Sequence, residues 1–220
     1  MVMTVPVLTI DGPSGAGKGT ISRLVAKKLG WNYLDSGSIY RSLAIALLQQ
    51  AVDLADEAAI VKVAETMDLA FECGDALVVK LNGIDITAQL GLENTGNTAS
   101  IIAALPEVRR VLLQKQQDFR QLPGLVADGR DMGTVVFPDA NNKVFLTATT
   151  EERARRRYKQ LKEKGIDANL ARLIDDIEAR DRRDTERTTA PLAMAENALY
   201  IDSSNMTIDS VIEDVLNLIR

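Results

Sequence analysis

The apolar positions of the chain follow two patterns, short continuous runs and longer segments with helical spacing. The continuous runs predict strands at residues 5–10, 31–34, 125–127, 143–148 and 199–201, of which the runs at 125–127 and 143–148 look buried. The helical spacing predicts a first helix that ends near Gly30, helices at residues 39–51, 57–66, 98–105, 106–121, 151–164 and 170–183, and a last helix after a Thr207 cap. Because strands alternate with helices, we expect an α/β protein with a largely parallel sheet flanked by helices.

The pattern changes between residues 68 and 90, where three short strand-like runs follow one another. These runs cover residues 69–73, 76–81 and 84–87, and they are separated by Gly74-Asp75 and Asn82-Gly83. Asn-Gly between alternating apolar runs is a strong signal for a hairpin turn. The segment therefore predicts a small antiparallel three-stranded insertion in the α/β frame.

A glycine-rich stretch lies between the first strand and the first helix. It consists of Gly12, Pro13, Ser14, Gly15, Ala16, Gly17, Lys18, Gly19 and Thr20. Glycines let the loop wrap tightly, so that backbone N–H groups and the helix dipole converge on a phosphate chain, and Lys18 adds a mobile charge for the terminal phosphates. We therefore predict a nucleotide phosphate loop. Gly19 stands where this motif usually has Ser or Thr, a variant similar to the loop of nucleoside monophosphate kinases, and it leaves open whether Thr20 contacts magnesium directly.

Composition narrows the class of protein. The 220 residues carry a formal net charge of −5, which disfavours nucleic acid or an anionic membrane as a partner. Cys73 is the single cysteine, which excludes an internal disulfide, and we find neither an apolar span of membrane length nor a signal peptide. We therefore expect a cytoplasmic protein, and the length favours one domain with insertions.

The chain contains no histidine, which removes the commonest general base and the commonest metal ligand. Its chemistry must therefore use carboxylates, lysine, arginine and bound magnesium. Phosphoryl transfer can do so, because it depends mainly on positioning and on stabilisation of charge. An alcohol acceptor usually needs a base for its proton, whereas a phosphate acceptor already carries an anionic oxygen. The absence of histidine and the many arginines therefore favour transfer onto a phosphate.

A second polar stretch follows the second predicted strand, at the start of a helix, and consists of Asp35, Ser36, Gly37, Ser38, Ile39, Tyr40 and Arg41. Ligands of an open parallel sheet bind at the carboxyl ends of its strands, so this stretch should border the nucleotide crevice. Ser36 or Ser38 could serve only as an N-cap, but a cap does not explain Arg41 one turn later. We predict that Arg41 binds the phosphate of the acceptor.

A third polar stretch follows the strand predicted at residues 125–127, and consists of Asp128, Gly129, Arg130, Asp131, Met132, Gly133 and Thr134. A carboxylate at the carboxyl end of a buried strand fits a magnesium site in which the ion is held through water. Asp128 is the candidate for this role. The stretch could also be only a turn, but the phosphate loop in the same chain favours the magnesium site.

Two groups of arginines lie on the helices predicted at residues 151–164 and 170–183. A run of charges is by default a solvated surface. An acidic protein that binds two phosphorylated ligands must, however, neutralise their charge. We therefore assign phosphate contacts to Arg153, Arg157, Arg180 and Arg187, and we leave Arg155 and Arg182 at the surface.

Taken together, these stretches resemble the bacterial cytidylate kinase family. The match rests on residues 12–20, 35–41 and 127–134 and on Arg180-Asp181-Arg182-Arg183-Asp184, and it runs essentially from end to end. The resemblance implies a P-loop kinase core with a mobile monophosphate-binding region and a short helical lid. It implies transfer of the γ-phosphate of ATP to CMP or dCMP with Mg²⁺. In that family, the inserted strands at about 68–90 enlarge the monophosphate-binding region.

The resemblance also implies a division of the single domain and roles for individual residues. The core would comprise about residues 1–35, 106–150 and 190–220, with the monophosphate-binding region at about 36–105 and the lid at about 151–189. The CMP phosphate would be surrounded by Ser36, Arg41, Arg130 and Arg187, the cytosine would be bound by Ser100, Arg109 and Asp131, and the ribose by Arg180 and Asp184. The catalytic residues would be Lys18, Arg130 and, from the lid, Arg153 and Arg157.

Three alternatives stay open on the sequence. A UMP or AMP kinase of the same class is one, although the insertion and the Gly-Arg-Asp-Met stretch argue against it. A nucleotide-dependent switch is another, but the chain has no Asn-Lys-x-Asp stretch of the kind that binds guanine. The third is a kinase of a small alcohol, such as shikimate kinase. We expect a monomer that acts on CMP and dCMP and has no nucleic-acid or membrane partner.

Overall fold

The computed structural model describes residues 5–73, 77–163 and 165–219. The chain divides into two compact units, one made of Met1–Leu34 and Arg120–Arg220, and the other of Asp35–Phe119. The glycine-rich loop and the third polar stretch belong to the first unit, and the whole second polar stretch belongs to the second. The turn expected at Gly74-Asp75 lies outside the described residues.

Strands and helices alternate along the described residues. In chain order the strands are β1 (Val7–Asp11), β2 (Asn32–Asp35), β3 (Leu69–Cys73), β4 (Leu77–Leu81), β5 (Ile84–Asp85), β6 (Leu125–Gly129), β7 (Asn142–Thr147) and β8 (Leu199–Asp202). The helices are α1 (Lys18–Leu29), α2 (Ser36–Gln49), α3 (Glu57–Thr66), α4 (Thr87–Leu90), α5 (Glu93–Ile102), α6 (Pro106–Gln117), α7 (Thr150–Glu163), α8 (Leu170–Glu186) and α9 (Ile208–Ile219). Within these described residues, no helix is long and apolar enough to span a membrane.

The first unit is built on a sheet with the strand order β2-β6-β1-β7-β8. β1 pairs in parallel with β6 on one side and with β7 on the other, and β7 pairs in parallel with β8. Every residue of β1 and β6 is buried, as is usual for central strands of a sheet that is covered on both faces. Because the strand order reverses at β1, the carboxyl end of β1 borders the crevice where α/β sheets bind ligands.

Helices cover this sheet. α1 packs against β6 and β1, and α9 packs against α1 and β7, while α7 and α8 pack against each other. α1 lies between Gly17 and Gly30, whose left-handed conformations (φ 91° and φ 66°) suit glycine. The hydroxyl oxygen of Thr207 accepts the amide N–H of Ser210 at 3.2 Å, which confirms the expected cap of the last helix.

The second unit combines helices with a small sheet. α2 packs against α5, and α3 packs against α6. β3, β4 and β5 form an antiparallel sheet in that order, which confirms the predicted insertion. Between β4 and β5, Asn82 (φ 49°) and Gly83 (φ 80°) are both left-handed, as a two-residue hairpin turn requires.

Two predicted strands differ from the observed ones. The strand expected at residues 84–87 ends at Asp85, and Thr87 begins α4. The Asp85 carboxylate accepts the N–H of Thr87 at 2.8 Å, and the hydroxyl oxygen of Thr87 accepts the N–H of Val79 at 3.0 Å. These side-chain bonds compete with a strand ladder and favour a turn of helix. The run at 143–148, which looked buried, forms β7, in which only alternate residues are buried.

Candidate active site

The glycine-rich loop leaves the carboxyl end of β1 and leads directly into α1. Gly12 (φ 151°) and Gly17 (φ 91°) adopt backbone conformations that other residues rarely reach. A Cβ atom on Gly12 would lie 1.9 Å from the carbonyl oxygen of Leu146, so only glycine fits against β7 at this position. The loop therefore brings the N-terminus of α1, with its unpaired N–H groups, to the crevice.

Lys18 is buried at the start of α1, and its side chain returns to the loop. Its Nζ donates to the carbonyl oxygen of Pro13 at 2.9 Å. Burial, and then the charge of Arg130, lower the pKa of Lys18 to about 7, although Asp128 and Asp11 favour its charged form. Burial therefore disfavours the charged form of this lysine in the protein alone. A negatively charged phosphate chain in the loop would favour the charged form.

Asp128 lies near the carboxyl end of β6 and is buried. Its Oδ2 accepts a hydrogen bond from the hydroxyl of Tyr33 at 2.7 Å. A Cβ atom on Gly19 would lie 3.6 Å from the Tyr33 hydroxyl and 3.8 Å from Asp128 Oδ2. Gly19 therefore leaves open the space beside this pair that the Ser or Thr of the usual motif would enter.

The side chains at this edge of the sheet match the way in which phosphoryl-transfer sites bind magnesium. Mg²⁺ is commonly held by one or two carboxylates, with substrate phosphates and waters as its other ligands. Asp128 is such a carboxylate, and Thr20 is exposed on the first turn of α1. Residues 5–73, 77–163 and 165–219 contain no cluster of three or more His, Cys, Asp or Glu that could hold a metal alone.

The third polar stretch continues from β6 into a π-helical turn, Met132–Val136, which the sequence did not predict. Asp131 immediately precedes the turn. The N–H groups of Met132 and Gly133 both donate to the carboxylate of Asp11, each at 2.8 Å. Burial raises the pKa of Asp11 to about 6, although these two hydrogen bonds favour its ionised form.

Arg130 and Asp184 form an ion pair between the end of β6 and α8. The distance from Arg130 Nε to Asp184 Oδ2 is 2.8 Å, and the carboxylate is almost fully buried. Burial by itself would raise the pKa of Asp184, but Arg130 and Arg180 outweigh it and hold this pKa below its usual value. Asp184 is therefore ionised at neutral pH beside two cationic side chains.

Asp131 and Arg187 extend this group of charges. Asp131 is buried, and Arg187 Nη2 lies 3.8 Å from Asp131 Oδ1. Arg187 Nε also donates to the carbonyl oxygen of Ala190 at 2.7 Å. The structure thus brings together the first-unit residues that the sequence assigns to the acceptor, namely Arg130, Asp131, Arg180, Asp184 and Arg187.

Arg153, assigned to the lid, lies buried against the glycine-rich loop. It donates to the carbonyl oxygens of Ser14 at 3.0 Å and Ala148 at 2.9 Å, and its Nη2 lies 2.6 Å from the carboxylate of Asp181. Arg153 therefore links α7 to the loop and to α8. Arg157 is half-buried one turn further along α7. Arg155 and Arg182, expected at the surface, are exposed.

In the second unit, α2 begins with Asp35 as its N-cap, and not with a serine. The Asp35 carboxylate accepts two hydrogen bonds from Ser38, one from the backbone N–H at 3.0 Å and one from the hydroxyl at 2.5 Å. The hydroxyl of Ser36 instead donates to Gln116 Oε1 on α6, at 2.7 Å. Capping therefore does not account for Ser36.

The other predicted residues of the second unit lie on α2, α5 and α6. Arg41 donates to the carbonyl oxygen of Leu90. Arg109 is buried, its guanidinium carbon lies 5.8 Å from the centre of the Tyr40 ring, and it donates to the carbonyl oxygen of Ala103 at 3.2 Å. Ser100 is buried on α5, which packs against α2. Hydrogen bonds and packing thus fix these polar side chains within their unit.

Sequence reasoning missed three residues of the site. Asp11 follows the strand predicted at residues 5–10, Tyr33 lies within the strand predicted at residues 31–34, and neither has a role in the sequence-based assignment. Arg156 was grouped with its neighbours, yet it donates to the carbonyl oxygen of Ser203 at 2.7 Å and to its hydroxyl at 3.1 Å. Asp11 did carry a signal, because it is a carboxylate that ends an apolar strand, as Asp128 is.

The fold and the glycine-rich loop together define a P-loop kinase. The sequence model of the cytidylate kinase family matches residues 8–220, and the chain belongs to this family. It is 57% identical over 217 residues to a cytidylate kinase from Methylococcus capsulatus, a match that covers 99% of this chain and 98% of that protein. It is 56% identical over 217 residues to a cytidylate kinase from Aeromonas salmonicida, covering 98% of this chain and 94% of that protein.

A solved structure shares the fold at low sequence identity. The shikimate kinase from Bacteroides thetaiotaomicron superposes with a TM-score of 0.50 at 13% identity, and the match covers 97% of this chain and 98% of that chain. At this identity the similarity concerns the fold alone. It agrees with the parallel sheet and flanking helices of the first unit.

Proposed function

We propose that this protein transfers the γ-phosphate of ATP to CMP or dCMP, giving ADP and CDP or dCDP. The observation that carries the proposal is its similarity, over nearly the whole chain, to proteins named cytidylate kinase. The site supports it, because the first unit places a phosphate loop and a group of arginines and carboxylates around the carboxyl ends of β1 and β6. Phosphoryl transfer needs both a phosphate cradle and neutralising charge.

In this proposal the loop of residues 12–20 binds the phosphates of ATP. Backbone N–H groups and the N-terminus of α1 attract the phosphate oxygens. Burial disfavours the charged form of Lys18, the bound polyphosphate favours it, and the charged lysine stabilises charge on the transferring group. Asp128 would hold Mg²⁺ through water, and the bound ion neutralises charge on the phosphate oxygens.

The acceptor needs no general base, since a phosphate oxygen is already anionic at neutral pH. A chain without histidine can therefore promote the reaction by charge and position. We assign this role to Lys18, Arg130, Arg153 and Arg157. The position of Arg153 against the loop supports its assignment, and Arg157 lies one turn further on the same helix.

We assign the CMP phosphate to Ser36, Arg41, Arg130 and Arg187, and the ribose to Arg180 and Asp184. Arg130 and Asp184 are already paired, which holds both side chains in fixed positions. A carboxylate that stays ionised beside two cations can accept a hydrogen bond from a sugar hydroxyl. The arginines suit a phosphate because their guanidinium groups bind it through two hydrogen bonds.

We assign the cytosine to Ser100, Arg109 and Asp131. Cytosine carries an amine donor at position 4 and an acceptor at N3, whereas uracil carries a carbonyl and an N–H at these positions. A carboxylate such as Asp131 can accept from the amine, but it would face the uracil carbonyl lone pair to lone pair. Arg109 can donate to the cytosine acceptors, and the Ser100 hydroxyl can either donate or accept a hydrogen bond. These roles predict a preference for CMP over UMP.

We further propose that the protein acts as a cytoplasmic monomer without a nucleic-acid or membrane partner. The net charge of −5 supports the lack of a nucleic-acid or anionic-membrane partner, because binders of polyanions are usually basic. We also propose that a core of about residues 1–35, 106–150 and 190–220 carries a monophosphate-binding region at about 36–105 and a lid at about 151–189. Residues 68–90 and the arginine helix near residues 153–165 would close over bound nucleotides and exclude water from the transfer site.

An assay of ADP formation tests the proposed class of activity. The purified protein is incubated with ATP and Mg²⁺, alone or with CMP or shikimate. We expect slow ADP formation with ATP alone and a large acceleration by CMP. Hydrolysis that ignores CMP would indicate a nucleotide-dependent switch, and acceleration by shikimate would indicate a small-alcohol kinase.

A further inference from the structure

Asp11 is a buried carboxylate to which none of the roles above is assigned. It ends β1, directly before the glycine-rich loop, and only 2% of its surface is exposed. Its Oδ1 accepts the N–H of Met132, and its Oδ2 accepts the N–H of Gly133, each at 2.8 Å. Each oxygen of the carboxylate thus holds one backbone N–H of a segment that lies more than a hundred positions away in the sequence.

These two N–H groups belong to the start of the π-helical turn that follows Asp131. The first N–H groups of a helical turn have no partner within the turn, so they need an acceptor from elsewhere. Asp11 supplies both acceptors from a neighbouring strand, and its charge suits the positive end of the turn. The backbone that directly follows Asp131 in the chain is therefore fixed to β1.

Packing at Gly133 supports the same contact. A Cβ atom on Gly133 would lie 2.8 Å from the Thr9 hydroxyl oxygen and 3.2 Å from Cβ of Ala195. The turn therefore approaches β1 as closely as a residue without a side chain allows. Asp11, two residues after Thr9 on β1, makes the polar contact with this turn.

The charges around Asp11 are consistent with an ionised carboxylate at neutral pH. Burial raises its pKa to about 6, the N–H groups of Gly133 and Met132 lower it, Asp131 raises it and Lys18 lowers it. Above pH 6 both oxygens therefore accept hydrogen bonds.

We propose that Asp11 is a positioning residue that fixes the segment Arg130–Gly133 to β1 and so holds Asp131 in the orientation required to recognise the acceptor. The inference rests on the proposed function for the identity of that acceptor. The contact itself is independent of it, because both hydrogen bonds lie within the protein.

The test uses Asp11→Asn, which keeps the shape of the side chain but replaces one acceptor oxygen by a donor. Asp202→Asn is the matched control, because Asp202 also ends a strand of this sheet and accepts a backbone N–H, that of Ser204 at 2.9 Å. We expect the amides of Met132 and Gly133 to exchange hydrogen faster in Asp11→Asn and not in the control. We expect KM for CMP to rise roughly tenfold, because a buried donor loses its acceptor, while KM for ATP changes by no more than about twofold.

A double variant separates positioning from a general loss of structure. If Asp11 acts through Asp131, adding Asp11→Asn to Asp131→Asn should cause little further loss of kcat/KM for CMP. Unchanged exchange at both amides, or equal rises of both KM values, would overturn the inference. If Asp11→Asn does not fold, the amide proton shifts of Met132 and Gly133 in the unchanged protein are followed against pH: a shared titration of both amides supports the contact, and the lack of a shared titration overturns it. A wild-type protein that does not use CMP would refute the proposed function instead, since the exchange measurement needs no acceptor.

Discussion

Replacing Lys18 with methionine should nearly abolish the activity and, at neutral pH, make the protein more stable. The lysine is buried, and the fall of its pKa from 10.5 to about 7 means that the folded protein disfavours the charged amine. At 1.36 kcal/mol per pKa unit, this fall in pKa means that, at pH values below 7, the charged amine costs the folded protein about 5 kcal/mol. Methionine has a similar length and no charge, so it avoids that cost while losing the hydrogen bond to Pro13.

The sign of the pH dependence follows from the direction of the pKa change. Between pH 7 and pH 10.5 the unfolded chain binds more protons at Lys18 than the folded protein does, so the stability of the wild type rises with pH. From pH 7 to pH 9 the wild type should gain about 2 kcal/mol relative to Lys18→Met. The advantage of the variant should therefore be largest near and below pH 7 and should shrink as the pH rises.

Urea unfolding at pH 7, 8 and 9 measures this difference, with Lys28→Met as the control. Lys28 lies on the same helix but is exposed, so its replacement should leave the pH dependence unchanged. In parallel, kcat of Lys18→Met should fall roughly 100- to 1000-fold, because the charge on the transferring phosphate loses its partner. Wild type and Lys18→Met with parallel stability profiles over this pH range would refute the reasoning, whatever the activity.

Further expectations concern Asp131, Asp184 and Gly12. Asp131→Asn should narrow the ratio of kcat/KM for CMP over UMP, mainly by lowering the value for CMP; an unchanged ratio means that Asp131 does not contact the base. Asp184→Asn should raise KM for CMP about tenfold with little change for ATP, since a charged acceptor of the ribose hydroxyl is lost; equal changes would point to a structural ion pair. Gly12→Ala should lower the free energy of unfolding by about 1–3 kcal/mol or more, because its Cβ would lie 1.9 Å from the Leu146 oxygen; wild-type stability in thermal unfolding would contradict this.

Much of the fold could be predicted from the hydrophobic pattern. Strands such as β1 and β6 begin with largely apolar runs, and the end of α1 is marked by Gly30. The end of β5 could not be predicted in this way. Side-chain hydrogen bonds of Asp85 and Thr87 favour a turn of helix there, and the spacing of apolar residues does not reveal them. Local side-chain hydrogen bonds therefore set the end of this strand, which the hydrophobic pattern alone did not predict.

The candidate site was partly predictable for a similar reason. Glycine spacing marks the phosphate loop, and Asp128 follows the rule that carboxylates at strand ends border the crevice. The contact of Asp11 with Met132 and Gly133 joins residues about 120 positions apart, so it depends on the register of β1 beside β6. The burial of Arg153 against Ser14 likewise follows from the packing of α7, which a run of arginines does not reveal.

The most direct test of the proposed function follows the transferred phosphate itself. The protein is incubated with ATP labelled in the γ-phosphate, Mg²⁺ and equal concentrations of CMP, dCMP, UMP or AMP, and the labelled products are separated. We expect the label in CDP and dCDP, with kcat/KM for CMP roughly 100-fold above that for UMP, because a mispaired base leaves buried polar groups without partners. Label found mainly in inorganic phosphate, or a preference for UMP or AMP, would contradict the proposal.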